Sequence, residues 1–439
     1  MVKDTEKAAE VASETLRTWK AYREYAWGHD VLKPLSKSFY DWYEHPLMIS
    51  PVDAYSTLYL MGFTDETVLI EQYVIDSLDF DLDVDVKLFE VNIRILGGLL
   101  SMYDLSGNQA ILAKAEDFGR RILPAFDTPT GIPRYWVNLK NGTSHGDTVN
   151  VAEAGTYTLE MGVLSYYTGN PVYYQAARKA TLALFNRRDP GTGLIGDIID
   201  VNTGEWVSGS SHICAGADSY YEYLCKSYLL FRDSTMGAVW DYSVKRINQY
   251  MAEEYNGDLW YGRADMKTGI LNSSVITLYD AFFPAVLALT GDLSHASRLQ
   301  QSWFRLWNKY GLEPMVYDYK KEQPSFPRYD LNPEIIESAF YLYKITGDTA
   351  WLNMNIKFWN DLKKYCRTDV AFTSVDDVTT MKQRDYMPTF FLAETLKYFW
   401  LTFSNREDYL PEDIVFNTEA HPFRKSHFDP EKVRERLGL

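Results

Sequence analysis

Ile335-Ile336-Glu337-Ser338-Ala339-Phe340-Tyr341-Leu342-Tyr343, followed shortly by Thr346-Gly347-Asp348, is the stretch that decides the fold. Its apolar residues recur at three- and four-residue steps, the period of a helix that buries one face. Gly347 and Asp348 then supply the chemistry of a helix C-cap and a restart. The phrase returns at Leu105-Ser106-Gly107-Asn108, Thr168-Gly169-Asn170 and Thr290-Gly291-Asp292. Less regular versions fall at Met61-Gly62-Phe63-Thr64-Asp65, Arg232-Asp233-Ser234 and Ser404-Asn405-Arg406, and Leu392 to Phe403 repeats the helical period. The seven turns lie roughly 45 to 65 residues apart, a spacing that marks a repeat architecture. Each unit is one helical hairpin too small to bury its own face, and seven in a ring would bury a continuous core. An open helical solenoid is the other arrangement, but it calls for polar capping repeats at its ends, and none stands out.

Two stretches depart from the helical pattern. Asp79 to Asp85 alternates Asp with Phe, Leu and Val, the period of a strand. Gly257 to Asn272 is turn-rich and reads as a loop or hairpin. The Asp run also mimics a calcium loop, with Asp79, Asp81, Asp83 and Glu90 at the spaced positions, but Val84 stands where such a loop needs Gly.

The 439 residues could hold several average domains or one large repeat barrel, and the unbroken repeat favours a single domain spanning 1–439. A formal charge of −16 argues against a nucleic-acid surface, and neutral substrates or bound cations suit it better. No apolar run is long enough to span a bilayer. Aromatic residues make up 15% of the chain; they read first as core and surface Tyr and, more sharply, as stacking platforms for sugar rings. Cys214, Cys225 and Cys366 do not make a disulfide framework, and no CxxC or HxxxH spacing suggests zinc. The charged, amphipathic segment from Met1 to Tyr25 reads as neither secretory signal nor anchor, so the protein is expected to be soluble. Either it is not exported, or it is periplasmic or secreted with its signal removed. Oligomeric state is left open.

Acids recur near the hairpin ends. Glu90 and Arg94 share a helix face at i, i+4, either as a surface ion pair or as a buried pair inside an apolar run. Asp218 opens a helix after Gly216, where a capping carboxylate is ordinary. Asn332 and Pro333 read as N-cap and first helical residue, with Glu334 and Glu337 on one face beyond them. Glu394 lies in another apolar helix, and Phe416-Asn417-Thr418-Glu419-Ala420-His421-Pro422 offers oxygen donors suited to a hard cation. In a ring these ends would converge on one mouth, where glycoside hydrolysis needs an acid for the leaving oxygen and a base for water.

These motifs resemble glycoside hydrolase family 47, the class I α-1,2-mannosidases. The resemblance runs in order from Tyr25-Ala26-Trp27-Gly28-His29-Asp30 through Val52-Asp53-Ala54 and the Glu90, Asp218 and Glu334 segments. It continues through Glu394-Thr395-Leu396-Lys397-Tyr398 to Asn417-Thr418-Glu419-Ala420-His421-Pro422. It implies an all-α fold, an (α/α)7 barrel with short strand elements at one end. It further implies an inverting, calcium-dependent exo-α-mannosidase acting on terminal α-1,2-linked mannose of an oligosaccharide or glycan. By motif position Glu90 would be the general acid, acting through a water, Glu334 the base, and Asp218 a third catalytic carboxylate. Thr418 would bind Ca2+ through its carbonyl and hydroxyl oxygens; Glu337, Glu394 and Glu419 would hold calcium-bound waters or the sugar; Arg94 would face the neighbouring sugar.

The chain departs from the family pattern at Asn332 (usually Arg), Leu278 (usually His), Pro388 (usually Glu) and Ala281 (often a disulfide Cys). The first three are expected to touch the sugar pocket, and the divergence reads as bacterial. Two alternatives follow: a non-catalytic mannose-binding relative of the same fold, or an α-mannosidase of different linkage preference.

Overall fold

The computed structural model describes residues 4–404 and 406–439. The chain repeatedly runs along an inner helix, turns sharply and returns along an outer one. The inner helices are Ile49–Leu60, 88–106, 151–168, Asp218–Phe231, 278–289 and Glu334–Thr346. Their outer partners are Thr64–Ser77, Gln109–Ile122, Val172–Phe185, Ser234–Tyr250, Leu293–Tyr310 and Thr349–Tyr365. The last inner helix, 391–403, packs against the first helix of the chain, Thr5–Tyr25, and also against Ile49–Leu60. That double contact closes the ring, so the fold is the expected (α/α)7 barrel and not an open solenoid. The seventh pair joins the two ends of the sequence. The Ser404–Arg406 turn includes Asn405, which lies outside the described residues, as do Met1 to Lys3 of the N-terminal segment.

Burial separates the two rings. Nearly every residue of Ile49–Leu60 is buried, whereas Leu293–Tyr310 buries a stripe at three- and four-residue steps: Ala296, Leu299, Gln300, Trp303, Leu306 and Trp307. The turns behave as their composition predicts. Gly107, Gly169 and Gly347 take φ of 69°, 72° and 71°, where a side chain would be strained, and Asn108, Asp233, Asp292 and Asp348 cap the helices that follow. Arg232 occupies the same left-handed position at φ 60°, which is why that turn reads as irregular.

All the inner helices begin at one end of the barrel. Short antiparallel strands gather there, and Asp85–Lys87, Thr148–Asn150 and Val275–Thr277 lead straight into inner helices. The strand expected over Asp79 to Asp85 is corrected: Asp85–Lys87 pairs with Trp136–Asn138, but residues 78–84 form an extended segment outside any sheet. Its alternation is real, with Phe80 and Val84 buried and Asp79, Asp81 and Asp83 exposed, but one-sided burial without a hydrogen-bonded neighbour does not make a strand. Gly257 to Asn272 does contain hairpins, Ala252–Tyr255 with Asp258–Tyr261 and Arg263–Asp265 with Leu271–Ser273. Cys214, Cys225 and Cys366 are buried and unbridged. Among the described residues no helix is long and apolar enough to cross a membrane.

A hairpin of Ile414–Phe416 and Pro422–Arg424 enters the barrel from the opposite end. Low in the barrel, Ser101 donates to the Pro422 carbonyl at 3.1 Å; higher up, Asn417 donates to the Ile93 carbonyl at 3.0 Å. Two glycines make room for it. A Cβ on Gly97 would lie 2.6 Å from Asn417 Nδ2, and one on Gly98 would lie 3.3 Å from His421 Nε2 and 2.4 Å from Val52.

Candidate active site

The N-terminal ends of the inner helices and the hairpin tip enclose a solvent-open cavity of about 280 Å³. Glu90, Arg94, Asp218, Glu334, Glu394, Thr418 and Glu419 line it, so residues up to 329 positions apart in the chain, read as site candidates from sequence, share one wall. Glu337 lies deeper, in an adjoining recess of about 30 Å³ that Asp218, Glu334, Glu394 and Thr418 also line.

Asp218 and Glu334 are each the first residue of an inner helix, where the helix dipole favours a carboxylate. The expected cap at Asn332 is corrected by one residue: Pro333 is the half-in residue, and its carbonyl accepts from the Ile336 and Glu337 amides at 2.9 and 2.8 Å. Asn332 instead directs Nδ2 toward Glu334 Oε1, 3.5 Å away, because Leu331 before it is left-handed at φ 64°. Two bonds hold that strained step: the Thr395 hydroxyl donates to the Leu331 carbonyl at 2.7 Å, and Tyr329 donates to the Asn332 carbonyl at 3.0 Å.

Arg94 and Glu394 stand on wide helical turns, Asn92–Leu96 and Phe391–Thr395, each a π-type insertion that re-aims side chains and is common at functional sites. Arg94 Nε donates to Glu90 at 3.0 Å, its Nη1 pairs with Glu419, and Asp53 lies 3.8 Å away. Its guanidinium stands 5.3 Å from the Trp42 ring and 5.8 Å from that of Phe390. The pair read as either surface or buried is neither alone: Arg94, Glu419 and Asp53 are buried, while Glu90 is partly exposed.

Acid outnumbers base here. Burial pushes the Asp218 carboxyl up to about 7, with Glu222 and Asp280 adding to the effect. Burial likewise pushes Glu337 up to about 7, while Lys226 opposes it. Glu334, Glu394 and Glu419 are raised well above the usual range by burial and by one another or nearby acids. Lys226 is engaged by Glu222, and burial lowers Lys397 to about 7. Glu334 Oε2 and Asn332 Oδ1 are buried without a hydrogen-bond partner.

Carboxyls this short of positive charge, beside a threonine hydroxyl and carbonyl, are the donor chemistry of a hard cation. Among the described residues no three His, Cys, Asp or Glu side chains meet as direct ligands. The residues therefore fit a cation held by Thr418 oxygens and by waters that the surrounding acids accept from. Of the motif that contains Thr418, only Thr418 and Glu419 line the cavity; Asn417 and His421 face the inner helices, with His421 Nε2 3.2 Å from Asp53.

Of the departures expected at the sugar pocket, Asn332 does line the cavity. Leu278 and Pro388 are buried behind it; Tyr279, one helical residue after Leu278, and Phe390, two residues after Pro388, line it instead. Glu153 also lines the cavity and was not singled out from sequence. Its signal was legible: Asn150 and Glu153 form a capping box, and burial then raises the Glu153 carboxyl.

The profile of glycosyl hydrolase family 47 matches residues 14–425. Alpha-mannosidase I MNS5 of Arabidopsis thaliana is 36% identical, over 99% of this chain and 80% of that protein. Human mannosyl-oligosaccharide 1,2-alpha-mannosidase IB is 34% identical, over 96% of this chain and 70% of that protein. The solved alpha-1,2-mannosidase from Trichoderma reesei superposes with a TM-score of 0.90 at 28% identity, covering 97% of this chain and all of that one.

Proposed function

This chain belongs to glycosyl hydrolase family 47, and from that premise we propose that it is an inverting, calcium-dependent exo-α-mannosidase that removes terminal α-1,2-linked mannose from an oligosaccharide. One observation carries the reading: Glu90, Asp218 and Glu334, from three different inner helices, line one cavity with Thr418. The 1,2-alpha-mannosidase names of its relatives support the linkage.

Glu334 is the base. It acts in its ionised form, which burial and the neighbouring acids disfavour in the metal-free chain; ionised, its unpartnered Oε2 can accept a proton from the attacking water. Glu90, acting in its protonated form, passes its proton through an intervening water to the leaving oxygen and is left as the carboxylate to which Arg94 Nε donates. Asp218, near neutrality in its proton affinity, is the third carboxyl and can hold a proton at the operating pH. An inverting enzyme keeps its acid and base about 6.5–9.5 Å apart to admit the water. Thr418 would hold the calcium, with Glu337, Glu394 and Glu419 accepting from its waters or from the sugar; the ion would supply positive charge that binds sugar hydroxyls and favours a distorted ring. Arg94, fixed among carboxylates and rings, faces the neighbouring sugar.

The test is incubation with α-1,2-, α-1,3- and α-1,6-mannobiose, with and without a calcium chelator. Mannose released from the α-1,2 disaccharide, and no longer released under chelation, is the expected result. Binding without release would assign a mannose-binding relative; release from another linkage would reassign the specificity.

A further inference from the structure

We propose that Glu160 is a positioning residue for the cation site: it fixes the hairpin tip through Asn417 and Tyr223, so that the oxygens of Thr418 are aimed before a cation arrives. The inference rests on the reading of Thr418 as a calcium ligand and goes beyond it, because Glu160 lies off the cavity wall.

Glu160 is fully buried on the inner helix Thr158–Thr168. Its Oε1 accepts from the Tyr223 hydroxyl at 2.5 Å and from Asn417 Nδ2 at 2.8 Å; its Oε2 accepts from Asn92 Nδ2 at 2.9 Å. One carboxyl thus joins three inner helices to the hairpin. The Tyr223 oxygen in turn accepts the backbone N–H of Thr418 at 3.3 Å. Asn417 continues the grip on the other side, its Oδ1 accepting the N–H groups of Glu419 and His421 at 3.0 and 2.8 Å. Thr418 is therefore held at its own amide and through both neighbours, and each hold runs through Tyr223 or Asn417 to Glu160.

The arrangement is costly. A buried carboxyl favours its neutral form, and burial pushes this one up to about 7. Its three partners donate hydrogen bonds but bring no positive charge. An apolar residue would fill the place without that cost but could not aim the tip. Groups that orient a metal ligand typically change metal affinity about 10–100-fold when removed.

Calcium titration of the full chain by calorimetry, with melting of the metal-free protein alongside, tests the proposal in Tyr223→Phe and Glu160→Gln. Tyr223→Phe keeps the ring and deletes the oxygen that links Glu160 to Thr418. Glu160→Gln sets an NH2 against one of three donors. The expected result is a calcium Kd raised about 10–100-fold, with turnover in Tyr223→Phe recovered by excess calcium. A Kd within about twofold of the parent, with only the metal-free melting temperature lowered, would make Glu160 a fold-holding residue and overturn the proposal. If Glu160→Gln does not fold, Tyr223→Phe decides. Absence of calcium binding by the parent would remove the calcium reading itself, and this inference with it.

Discussion

Arg94 on an inner helix and Glu419 at the hairpin tip are 325 residues apart in sequence and form a buried ion pair on the cavity wall. The pair ties the strand-rich end of the barrel to the plug that rises from the other end. Glu90 and Asp53 complete the surroundings of the same guanidinium.

Removing that cation leaves the buried Glu419 without its ion-pair partner, while Glu90 keeps some exposure and Asp53 keeps His421. Arg94→Ala is expected to lower unfolding free energy by about 3–5 kcal/mol, the usual loss when one partner leaves a buried pair. Arg94→Lys should fall between, because an ammonium keeps the charge and loses the fork. Denaturant titration measures both. A change within about 0.5 kcal/mol in Arg94→Ala would show that the pairing does not matter to the fold.

Glu334→Gln keeps the shape and hydrogen-bonding reach of the side chain and deletes the base. Turnover of α-1,2-mannobiose should fall by about 10²–10⁴-fold while mannose affinity stays close to that of the parent. Steady-state kinetics and calorimetry separate the two. Near-normal turnover would take Glu334 out of the base role.

Stability of the metal-free protein should fall as pH rises. Glu160, Asp218 and Glu337 are each pushed up to about 7 in the fold, whereas an unfolded Asp or Glu titrates near 4. Between those values the folded chain keeps protons that the unfolded chain has released. The stability they contribute is full below about pH 4 and lost as pH passes 7. Melting in chelator at pH 5.5 and pH 8 checks this; equal or higher melting at pH 8 would contradict it. Calcium should narrow the difference, since a cation favours the ionised acids.

Gly97→Ala is a probe of the plug. The added methyl would lie 2.6 Å from Asn417 Nδ2, so the hairpin tip must shift. Overpacking of this kind costs about 1–3 kcal/mol. Calcium affinity should fall with stability, because Asn417 precedes Thr418. Thermal melting and calcium titration report the two effects; an unchanged calcium Kd would show that the tip tolerates displacement.

Much of this was legible in the residues. Gly107, Gly169 and Gly347 mark turns that only a left-handed residue closes easily, and their spacing reveals the repeat. Acids at the starts of successive helices, Asp218 and Glu334 above all, converge because a ring brings those starts together. What stayed hidden depends on contacts distant in sequence. Nothing local shows that Thr5–Tyr25 pairs with 391–403, or that the Thr418 hairpin enters from the far end. The wide turns under Arg94 and Glu394 shift the register of a helix whose apolar pattern looks ordinary. Glu160 reads as one more acid in a helix until Tyr223 and Asn417 are seen around it. Asp79 to Asp85 misleads for the opposite reason: its alternation records burial on one side, and a strand also needs a neighbour.

The most direct measurement is proton NMR of mannose released in the first minutes of hydrolysis of the methyl α-glycoside of α-1,2-mannobiose, whose other product is a methyl mannoside with a locked anomeric centre, before mutarotation mixes the anomers, with calcium and with chelator. The account predicts that β-mannose appears first and that neither anomer appears under chelation. α-Mannose appearing first, or release undiminished by chelator, would contradict it.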